Sequence, residues 1–403
     1  MARPLDGIRV LDWTIWQQGP VASMVLADLG ADVIKIEERV GGDPGRGVLS
    51  AAGLDMTKLP NFYFEAHNRG KRSIALDLKK PEARDIVYAL AERADVFVQN
   101  FRPGAAERMG LDAATLRAKN PRLIYASGSG FGRRGPDAER PCMDYLGLAR
   151  SGIMNSVGEP NDPPQAVQGA IADQMAGTML VFGIMTALFE RERSGEGQEV
   201  DVSLLGAMSW LQGLSVASRL MFGGEMPRFS RRATGNPLWN HYRCADGKWI
   251  AFAMAQADRW WKDFVRVLDR PELADDPKFA TMAARGKNAV ETIQLLDEIF
   301  ATRPRDEWAK RLDDGGDFIW SVVNSVSDLG TDPQMRANDL IAAVDHPSLG
   351  RLEMLNVPVG FSRTKGAIGG PAPQFGQHTE QVLIDELGYT WDRIAELQSS
   401  EVI

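Results

Sequence analysis

Short apolar runs and longer stretches with helical spacing alternate through the first part of the chain. The short runs, bounded by turn-forming residues and typical of buried strands, are residues 8–12, 32–37, 73–77, 96–98 and 123–127. The longer stretches between them, typical of helices, are residues 21–29, 81–94 and 105–109. Strands that alternate with helices in this way form a parallel sheet that helices cover. The pattern therefore predicts an α/β fold with a doubly wound, Rossmann-like parallel sheet in its large domain.

The later part of the chain changes character near residue 226. Before that point we predict a helix over residues 175–190, a strand over 199–202 and one long buried helix over 204–220. After it we predict a hairpin over residues 242–252 with Asp246 and Gly247 at its tip, then Trp-rich charged helices over 257–312. These segments predict three parts: a large domain (1–224), an inserted smaller α+β domain (225–330) and a C-terminal return to the large domain (331–403).

The turn after the first predicted strand bears on the class of ligand. Residues 14–20 read TIWQQGP, without the GxGxxG pattern that brings a dinucleotide pyrophosphate against a helix N-terminus. A Rossmann-like sheet still gathers ligands at the carboxyl ends of its strands. A dinucleotide-dependent dehydrogenase is therefore disfavoured.

Composition and charge exclude several further classes of protein. A chain of 403 residues exceeds the usual size of a single core, so two domains are expected. A net charge of −8 and the lack of a basic tract argue against binding to nucleic acid or to anionic membranes. Any anionic ligand must then be held by local cationic groups. Neither a signal peptide nor an apolar run of membrane-spanning length is evident, so we expect a cytoplasmic protein.

Cysteine and histidine usage argues against a metal site in this chain. Cys142 and Cys244 are far apart and form no CxxC pair, which excludes a disulfide framework and a structural zinc site of the usual spacing. The four histidines are dispersed along the sequence. We therefore predict no metal ligands.

Asp173 is the most informative single residue. It stands in residues 169–177, which read GAIADQMAG, so small side chains flank a carboxylate just before a long apolar run. One interpretation is a helix N-cap, and caps are common enough that the residues alone favour it. The other is a nucleophile or base exposed to a bulky ligand, since glycines let a backbone approach closely and apolar surroundings strip water from a carboxylate.

Several ordered motifs carry a family resemblance. They are LDGIRVLD (5–12), GADVIKIE (30–37), NRGKRSI (68–74), NFRPG (100–104), Ser151-Gly152, residues 173–177, GEGQ (195–198) and GQHT (376–379). Together they resemble the class III CoA-transferase family, also called the CaiB/BaiF group, over nearly the whole chain. The resemblance implies an enzyme that moves coenzyme A from an acyl-CoA to a free carboxylic acid, with no tightly bound cofactor and with CoA entering as substrate.

The resemblance also assigns catalytic roles. Asp173 matches the family's nucleophile, which passes through mixed anhydrides and an aspartyl-CoA thioester. Gln17 matches a glutamine that the formyl-CoA transferase branch places near the thioester, where its amide would stabilise an oxyanion. Without the resemblance, Gln17 is better explained as a loop residue that satisfies backbone groups. The glycine run that closes over the site in that branch has no equivalent here, and residues 236–239 occupy its general region.

The CoA contacts follow from the same resemblance. Lys79 and Arg108 match residues that bind CoA, Leu76 belongs to the same segment as Lys79, and Asn100 and Phe101 match residues along the pantetheine path. Arg39 is a further candidate for contact with adenine. As generic features, a Lys after a strand and an Arg on a helix are usually solvated surface charges.

Two other functions stay open beside the transferase. The fold also hosts acyl-CoA racemases, which pair the aspartate with a histidine, but the matching position lies near Cys142, Met143 and Asp144, where no histidine stands. Asp144 is either part of the site or a member of a structural ion pair. A non-catalytic CoA-binding subunit of a heteromeric transferase is the other alternative, and the retained Asp173 argues against it.

Assembly and substrates are expected from the resemblance and from bulky residues. The family forms dimers of two interlocked rings, so we expect an interlocked homodimer, with a heteromer as the alternative. Trp16, Met143 and Trp239 suggest an acyl group larger than formyl, with succinyl-CoA as donor and an aromatic or branched dicarboxylic acid as acceptor. The same three residues are equally consistent with core packing.

Overall fold

The structure, a computed structural model, describes residues 2–48, 50–51, 54–55 and 61–403. The chain divides into two compact units. The larger comprises Met1–Met154, Ala166–Glu225 and Ala337–Ile403, and the smaller comprises Asn155–Gln165 and Met226–Arg336.

Among the described residues, eight strands lie in the first part of the larger unit. They are β1 (Arg9–Trp13), β2 (Asp32–Glu38), β3 (Ser50–Ala51), β4 (Leu54–Asp55), β5 (Arg72–Leu76), β6 (Val96–Gln99), β7 (Ile124–Ser129) and β8 (Glu199–Ser203). β3 and β4 form a small antiparallel pair. The other six form one parallel sheet in the order β5-β2-β1-β6-β7-β8. The strand order reverses between β1 and β6, and the crevice at their carboxyl ends is where such sheets bind ligands.

Nine α-helices accompany these strands in the part of the larger unit that the structure describes. They are α1 (Gln18–Asp28), α2 (Phe62–Asn68), α3 (Pro81–Ala91), α4 (Ala105–Met109), α5 (Ala113–Lys119), α6 (Asp144–Ser151), α7 (Ile171–Ser194), α8 (Leu204–Leu211) and α9 (Gly213–Phe222). The predicted single helix over 204–220 is wrong, because the chain leaves helical geometry at Gln212 and restarts at Gly213. The prediction that this whole stretch is buried is also wrong, since α9 has no buried residue.

Helices cover both faces of the parallel sheet, which confirms the predicted doubly wound α/β fold. On one face Leu11 and Ile34 pack in a cluster with residues of α3 and α5, such as Leu90 and Leu116. On the other face the alternate positions, such as Val10, pack with residues of α1 and α7. Alternation along each strand therefore buries apolar residues on both faces.

Helix α7 packs against the sheet in the core, although its length and apolar composition would also suit a membrane-spanning helix. Among the described residues it is the one helix that is long and apolar enough to cross a membrane by length and composition alone, which corrects the expectation that no such segment exists. In this fold its Leu180, Ile184 and Ala187 are buried in the cluster that covers the sheet. Its buried Arg191 pairs with Asp95, 2.8 Å away. Its apolar character is therefore explained in part by packing against the sheet.

The smaller unit contains a three-stranded antiparallel sheet in the order β11-β10-β9. Its strands are β9 (Trp239–Arg243), β10 (Trp249–Ala253) and β11 (Trp320–Val323). Its helices are α10 (Asp258–Val267), α11 (Met282–Lys287), α12 (Ala289–Phe300), α13 (Arg305–Gly315), α14 (Val326–Leu329) and α15 (Pro333–Ala337). The predicted hairpin is confirmed, since β9 and β10 pair and Gly247 at their turn has a left-handed φ of 79°.

The last segment of the larger unit covers an edge of the parallel sheet. It contains the hairpin of β12 (Ile341–His346) and β13 (Gly350–Leu355), then α16 (Thr379–Leu387) and α17 (Trp391–Ser399). The edge strand β5 donates from Ser73 N to Nδ1 of His378 (3.1 Å) and from Ala75 N to Oγ1 of Thr379 (3.0 Å). These side chains satisfy backbone groups that an open sheet edge would leave unpaired.

Candidate active site

The loop that follows β1 is held tightly at the crevice between β1 and β6. Asn100, just after β6, accepts a hydrogen bond from Ile15 N (2.9 Å) and donates one to Ile15 O (2.8 Å). Trp16 has a left-handed φ of 64°, which is unusual for a bulky residue. Residue 19 is a glycine because any Cβ there would clash with the Thr14 side chain, only 2.5 Å away. The loop therefore has one fixed conformation beside the sheet's carboxyl edge.

Asp173 is not the N-cap of α7. The cap position is Ala170, which has a left-handed φ of 50° and offers no capping side chain. The helix start is capped instead by Asp144, whose Oδ1 accepts hydrogen bonds from Ala172 N (2.7 Å) and Asp173 N (3.1 Å). The N-cap interpretation of Asp173 is therefore wrong, and its carboxylate is available for another role.

The Asp173 carboxylate is poorly solvated and unpaired. Among the described residues, none donates a hydrogen bond to it, and it faces a cavity of about 390 Å³. Burial, and after it the charge of the Asp144 carboxylate, raise the pKa of Asp173 from 3.8 to about 7. A carboxylate with this pKa is a stronger base and nucleophile than an ordinary aspartate, and near pH 7 a substantial fraction stays ionised.

Gly177 brings Asp173 close to the loop. A Cβ at position 177 would lie 2.7 Å from Cγ1 of Val21 and 2.8 Å from the carbonyl oxygen of Gln18. Because residue 177 has no Cβ, α7 packs directly on the first turn of α1. Since Asp173 lies about one helical turn before Gly177, it is placed beside residues of the β1–α1 loop.

The cavity joins residues from at least five parts of the larger unit. Its lining includes Asp173 with Ile15, Trp16 and Gln18 from the loop and α1, Asn100, Phe101, Arg102 and Arg108 after β6, Ser129 and Gly130 after β7, and Arg140, Cys142 and Met143 before α6. A second cavity of about 280 Å³ has mainly apolar walls, which include Trp13, Ile36, Leu76, Leu78 and Met109, with Lys79 at its border. Ile15 and Phe101 line both cavities, so the two are adjacent along the sheet edge.

Comparison with known proteins identifies the family. The sequence model described as CoA-transferase family III matches residues 5–379. The chain belongs to this family. Over its full length it is 34% identical to the succinyl-CoA–D-citramalate CoA-transferase of Chloroflexus aurantiacus, covering 98% of that protein. It is also 34% identical to the formyl-CoA:oxalate CoA-transferase of Streptomyces avermitilis, over 100% of both chains.

Comparison of structures agrees with this assignment. The fold is similar to the crystal structure of a CaiB/BaiF family protein from Brucella suis, with a TM-score of 0.85 and 32% identity over 96% of this chain and 100% of the other. The resemblance seen in the sequence motifs is therefore confirmed, and the chain is a class III CoA-transferase.

The structure of this CoA-transferase brings together some of the predicted residues. Asp173, Asn100, Phe101 and Arg108 line the first cavity. Leu76 and Lys79 line the second cavity with Phe101. Lys79 and Arg108 are both exposed at the surface. The predicted CoA residues thus lie along two adjoining cavities, one of which contains Asp173.

Gln17 and Arg39 lie outside the lining of both cavities. Gln17 is buried, and its Nε2 donates a long hydrogen bond of 3.4 Å to the carbonyl oxygen of Ala170 at the start of α7. Arg39 donates from Nε to the carbonyl oxygen of Ile403 (2.9 Å). Gln18, which sequence reasoning passed over, does line the Asp173 cavity, and its Nε2 donates to Ser129 O (3.3 Å) and Val202 O (3.4 Å).

Helix α2 supplies two aromatic side chains that sequence reasoning missed. Burial, and then the charges of Asp173, Asp43 and Asp144, raise the pKa of Tyr63, so its hydroxyl stays protonated near the nucleophile. The Tyr63 ring meets the His67 ring edge to face at 5.0 Å. Burial lowers the pKa of His67 to about 4, which keeps it neutral. No spacing pattern in the sequence relates residue 63 to residue 173, because only the tertiary fold joins α2 to α7.

The racemase alternative finds little support at this cavity. Among the described residues that line it, none is a histidine. Burial, and then the charges of Asp173 and Asp144, raise the pKa of Cys142 to about 11, so this thiol does not act as a base near neutral pH. Nothing in the lining therefore supplies the acid-base partner that racemisation requires.

Proposed function

We propose that this CoA-transferase works by covalent catalysis with Asp173 as the nucleophile. The observation that carries the proposal is an unpaired carboxylate with a pKa raised to about 7, in the cavity that Asn100, Phe101 and Arg108 also line. A poorly solvated carboxylate attacks a thioester more readily than a hydrated one. The adjoining apolar cavity would accept the adenine of the same CoA molecule.

Four substitutions at carbonyl carbon complete the reaction. Asp173 attacks the donor thioester, which gives a mixed anhydride and releases CoA thiolate. The thiolate attacks the Asp173 carbonyl carbon, releasing the donor acid and leaving an aspartyl-CoA thioester. The acceptor carboxylate attacks that thioester, giving a second anhydride and CoA thiolate. The thiolate then attacks the acceptor's acyl carbon, which forms the new acyl-CoA and regenerates the Asp173 carboxylate.

Each step develops a negative charge on a carbonyl oxygen, and amide donors near Asp173 are suited to stabilise it. The Nε2 hydrogen bonds of Gln17 and Gln18 are long, at 3.3–3.4 Å, so neither amide is tightly committed to its present acceptors. Gln18 lines the cavity and Gln17 contacts the segment that begins α7. We propose both as donors, since transition-state charge is best met by preplaced hydrogen bonds.

The CoA phosphates need local cations because the chain has a net charge of −8. Lys79 borders the apolar cavity and Arg108 lines the Asp173 cavity, so we assign both to phosphate binding. The pantetheine arm would then run past Phe101, which lines both cavities, and Asn100, which lines the Asp173 cavity. Arg39 follows Glu38 at the border of the apolar cavity, and contact with adenine requires that Arg39 leave the Ile403 carbonyl.

We propose succinyl-CoA as donor and a dicarboxylic acid larger than oxalate as acceptor. The relative from Chloroflexus aurantiacus is named for succinyl-CoA and D-citramalate, which supports this pair. Trp16 and Met143 add bulky apolar walls to the cavity, as an acyl chain longer than formyl requires. A steady-state screen in which formate or oxalate is the preferred acceptor would contradict this choice.

We propose that the working enzyme is an interlocked homodimer. Large apolar side chains on α7, α8 and α9 are exposed in the single chain: Phe189 by 68%, Trp210 by 72% and Phe222 by 80%. Apolar surface of this kind marks an interaction site. The family resemblance makes a second copy the expected partner. Sedimentation of the purified protein as a stable monomer, or as a complex with a different chain, would refute it.

The covalent mechanism is tested by intact-protein mass. Wild type, Asp173→Asn and the control Asp85→Asn, whose carboxylate is exposed on α3, are incubated with a panel of acyl-CoAs and then treated with hydroxylamine. We expect a CoA-sized adduct that hydroxylamine removes on wild type and control only. An adduct on Asp173→Asn would refute the assignment. If no donor gives an adduct but Asp173→Asn abolishes α-proton exchange in deuterated water, the racemase reading replaces it.

A further inference from the structure

A buried ion pair that the reaction does not use lies beneath the β1–α1 loop. The Lys35 side chain is fully buried and its Nζ lies 2.8 Å from Oδ2 of Asp43, whose side chain is 1% exposed. Burial alone would lower the pKa of Lys35, but the charges of Asp12, Asp43 and Glu37 outweigh it and raise this pKa above its ordinary value. Lys35 is therefore a permanent cation inside the protein.

This pair holds two backbone groups of the loop. Lys35 Nζ donates to the carbonyl oxygen of Thr14 (2.9 Å), and Asp43 Oδ1 accepts from Trp16 N (3.1 Å). The residue between them, Ile15, has its N–H and carbonyl groups held by Asn100. Three consecutive residues thus have backbone polar groups satisfied by side chains from β2, from the segment after β2 and from the end of β6.

Trp16 needs such restraint because of its conformation. A bulky aromatic residue adopts a left-handed φ only where its surroundings hold it there. If the hydrogen bond to Trp16 N were lost, the loop would relax toward ordinary backbone angles. Ile15 and Trp16 line the Asp173 cavity, and Gln17 contacts Ala170, so relaxation would reshape the cavity that contains the nucleophile.

We propose that the Lys35–Asp43 pair is a positioning device that fixes Trp16 in its left-handed conformation and thereby shapes the cavity in which Asp173 meets the acyl group. The predicted effect on catalysis rests on the proposed role of Asp173 as nucleophile. Neither residue is assigned a contact with the reacting atoms. Asp43 also borders the apolar cavity, so the catalytic readout is the rate at saturating acyl-CoA rather than the KM.

Two double variants isolate the acceptor for Trp16 N. Lys35→Met alone leaves the buried Asp43 charge unpaired and is expected to unfold the protein. Lys35→Met/Asp43→Asn and Lys35→Met/Asp43→Leu both remove the two charges and keep the same number of heavy side-chain atoms at position 43. Only the former keeps an oxygen at position 43 that accepts from Trp16 N and from Gly45 N. Arg191→Met, which breaks the buried pair with Asp95 far along α7, controls for the loss of a buried ion pair in general.

Two measurements are made on each protein: the single-turnover rate of aspartyl-CoA adduct formation with saturating succinyl-CoA, and hydrogen exchange of a peptide that spans residues 13–18. We expect the Leu double variant to form the adduct about tenfold more slowly than the Asn double variant, because small misplacement of a reacting group is costly. Its 13–18 peptide should also exchange faster. Arg191→Met should resemble wild type in both, and the Asn double variant, which loses the Lys35 contact to Thr14 O but keeps an acceptor for Trp16 N, should lie between wild type and the Leu double variant.

Equal adduct rates and equal exchange in the two double variants would overturn the proposal. Faster exchange in the Leu double variant without a slower adduct rate would refute the catalytic consequence. Absence of any adduct on wild type would refute the role of Asp173 instead, and the exchange comparison would still decide whether position 43 holds the loop.

Discussion

Asp173→Asn should make the protein more stable at neutral pH while it removes the nucleophile. In the folded state burial and Asp144 raise the pKa of Asp173 from 3.8 to about 7, so the charged form is disfavoured there. Asparagine has nearly the same shape and no charge to bury. The substitution therefore removes the electrostatic cost of keeping a charged, reactive carboxylate in a buried site.

The magnitude follows from the pKa of Asp173. Each pH unit between the unfolded and folded pKa corresponds to about 1.4 kcal/mol, so a rise from 3.8 to about 7 amounts to about 4 kcal/mol. Because the cavity is open to solvent, we expect about 2–4 kcal/mol in practice. The stability that protonated Asp173 contributes is complete below pH 3.8, falls as pH rises, and is lost above about pH 7. The advantage of Asp173→Asn should therefore be smallest near pH 4 and level off above pH 7.

Urea titration of wild type and variant between pH 4.5 and 8.5 measures this, with tryptophan fluorescence as the signal. Asp85→Asn is the matched control, because its carboxylate is exposed on α3. We expect the difference in unfolding free energy between Asp173→Asn and wild type to grow with pH, whereas the difference for Asp85→Asn should not. A constant difference for Asp173→Asn, or a lower stability than wild type at pH 8, would refute the account of a costly buried charge.

Three further outcomes are expected. Gly177→Ala should destabilise the protein by about 1–3 kcal/mol in the same titration and slow turnover, because the added methyl group meets Val21 and Gln18 O; unchanged stability and rate would contradict the packing argument. Lys79→Gln should raise the KM for acyl-CoA by a factor of about two to five and leave kcat unchanged, as for loss of an exposed ionic contact; a change in kcat alone would be inconsistent with phosphate binding. Trp210→Asp should lower the urea midpoint of the dimer without releasing a folded monomer, because interlocked rings cannot separate without unfolding; a folded monomer of this variant in sedimentation would contradict the interlocked arrangement.

The sheet was predictable because its strands are local apolar runs. The predicted positions of β1, β2 and β6 match the structure within one or two residues, since a buried parallel strand needs apolar side chains on both faces. The break between α8 and α9 was not predictable from apolar content, because both helices are apolar and only Gly213 marks the restart. Helix α5 was missed, since Ala113–Lys119 is short.

The site shows the same division between local and long-range information. Motifs marked Asp173, Asn100 and Phe101, and these residues do meet at one cavity. The cap that Asp144 provides and the approach of Tyr63 depend on contacts between distant segments, which no spacing in the sequence encodes. The left-handed Trp16 was equally hidden, because nothing local distinguishes it from its neighbours; Lys35 and Asp43 hold it from elsewhere in the fold.

Two roles at the start of α7 fall to different residues: Asp144 caps the helix, and Asp173 provides the carboxylate that lines the cavity. Because the first turn of α7 is anchored from position 144, the residue at 173 contributes nothing to starting the helix. Its chemistry can then change by mutation while the scaffold persists. Relatives on this scaffold could lose or replace the reactive group and still fold and bind CoA, which gives the fold a route from transferases to enzymes of other reaction types.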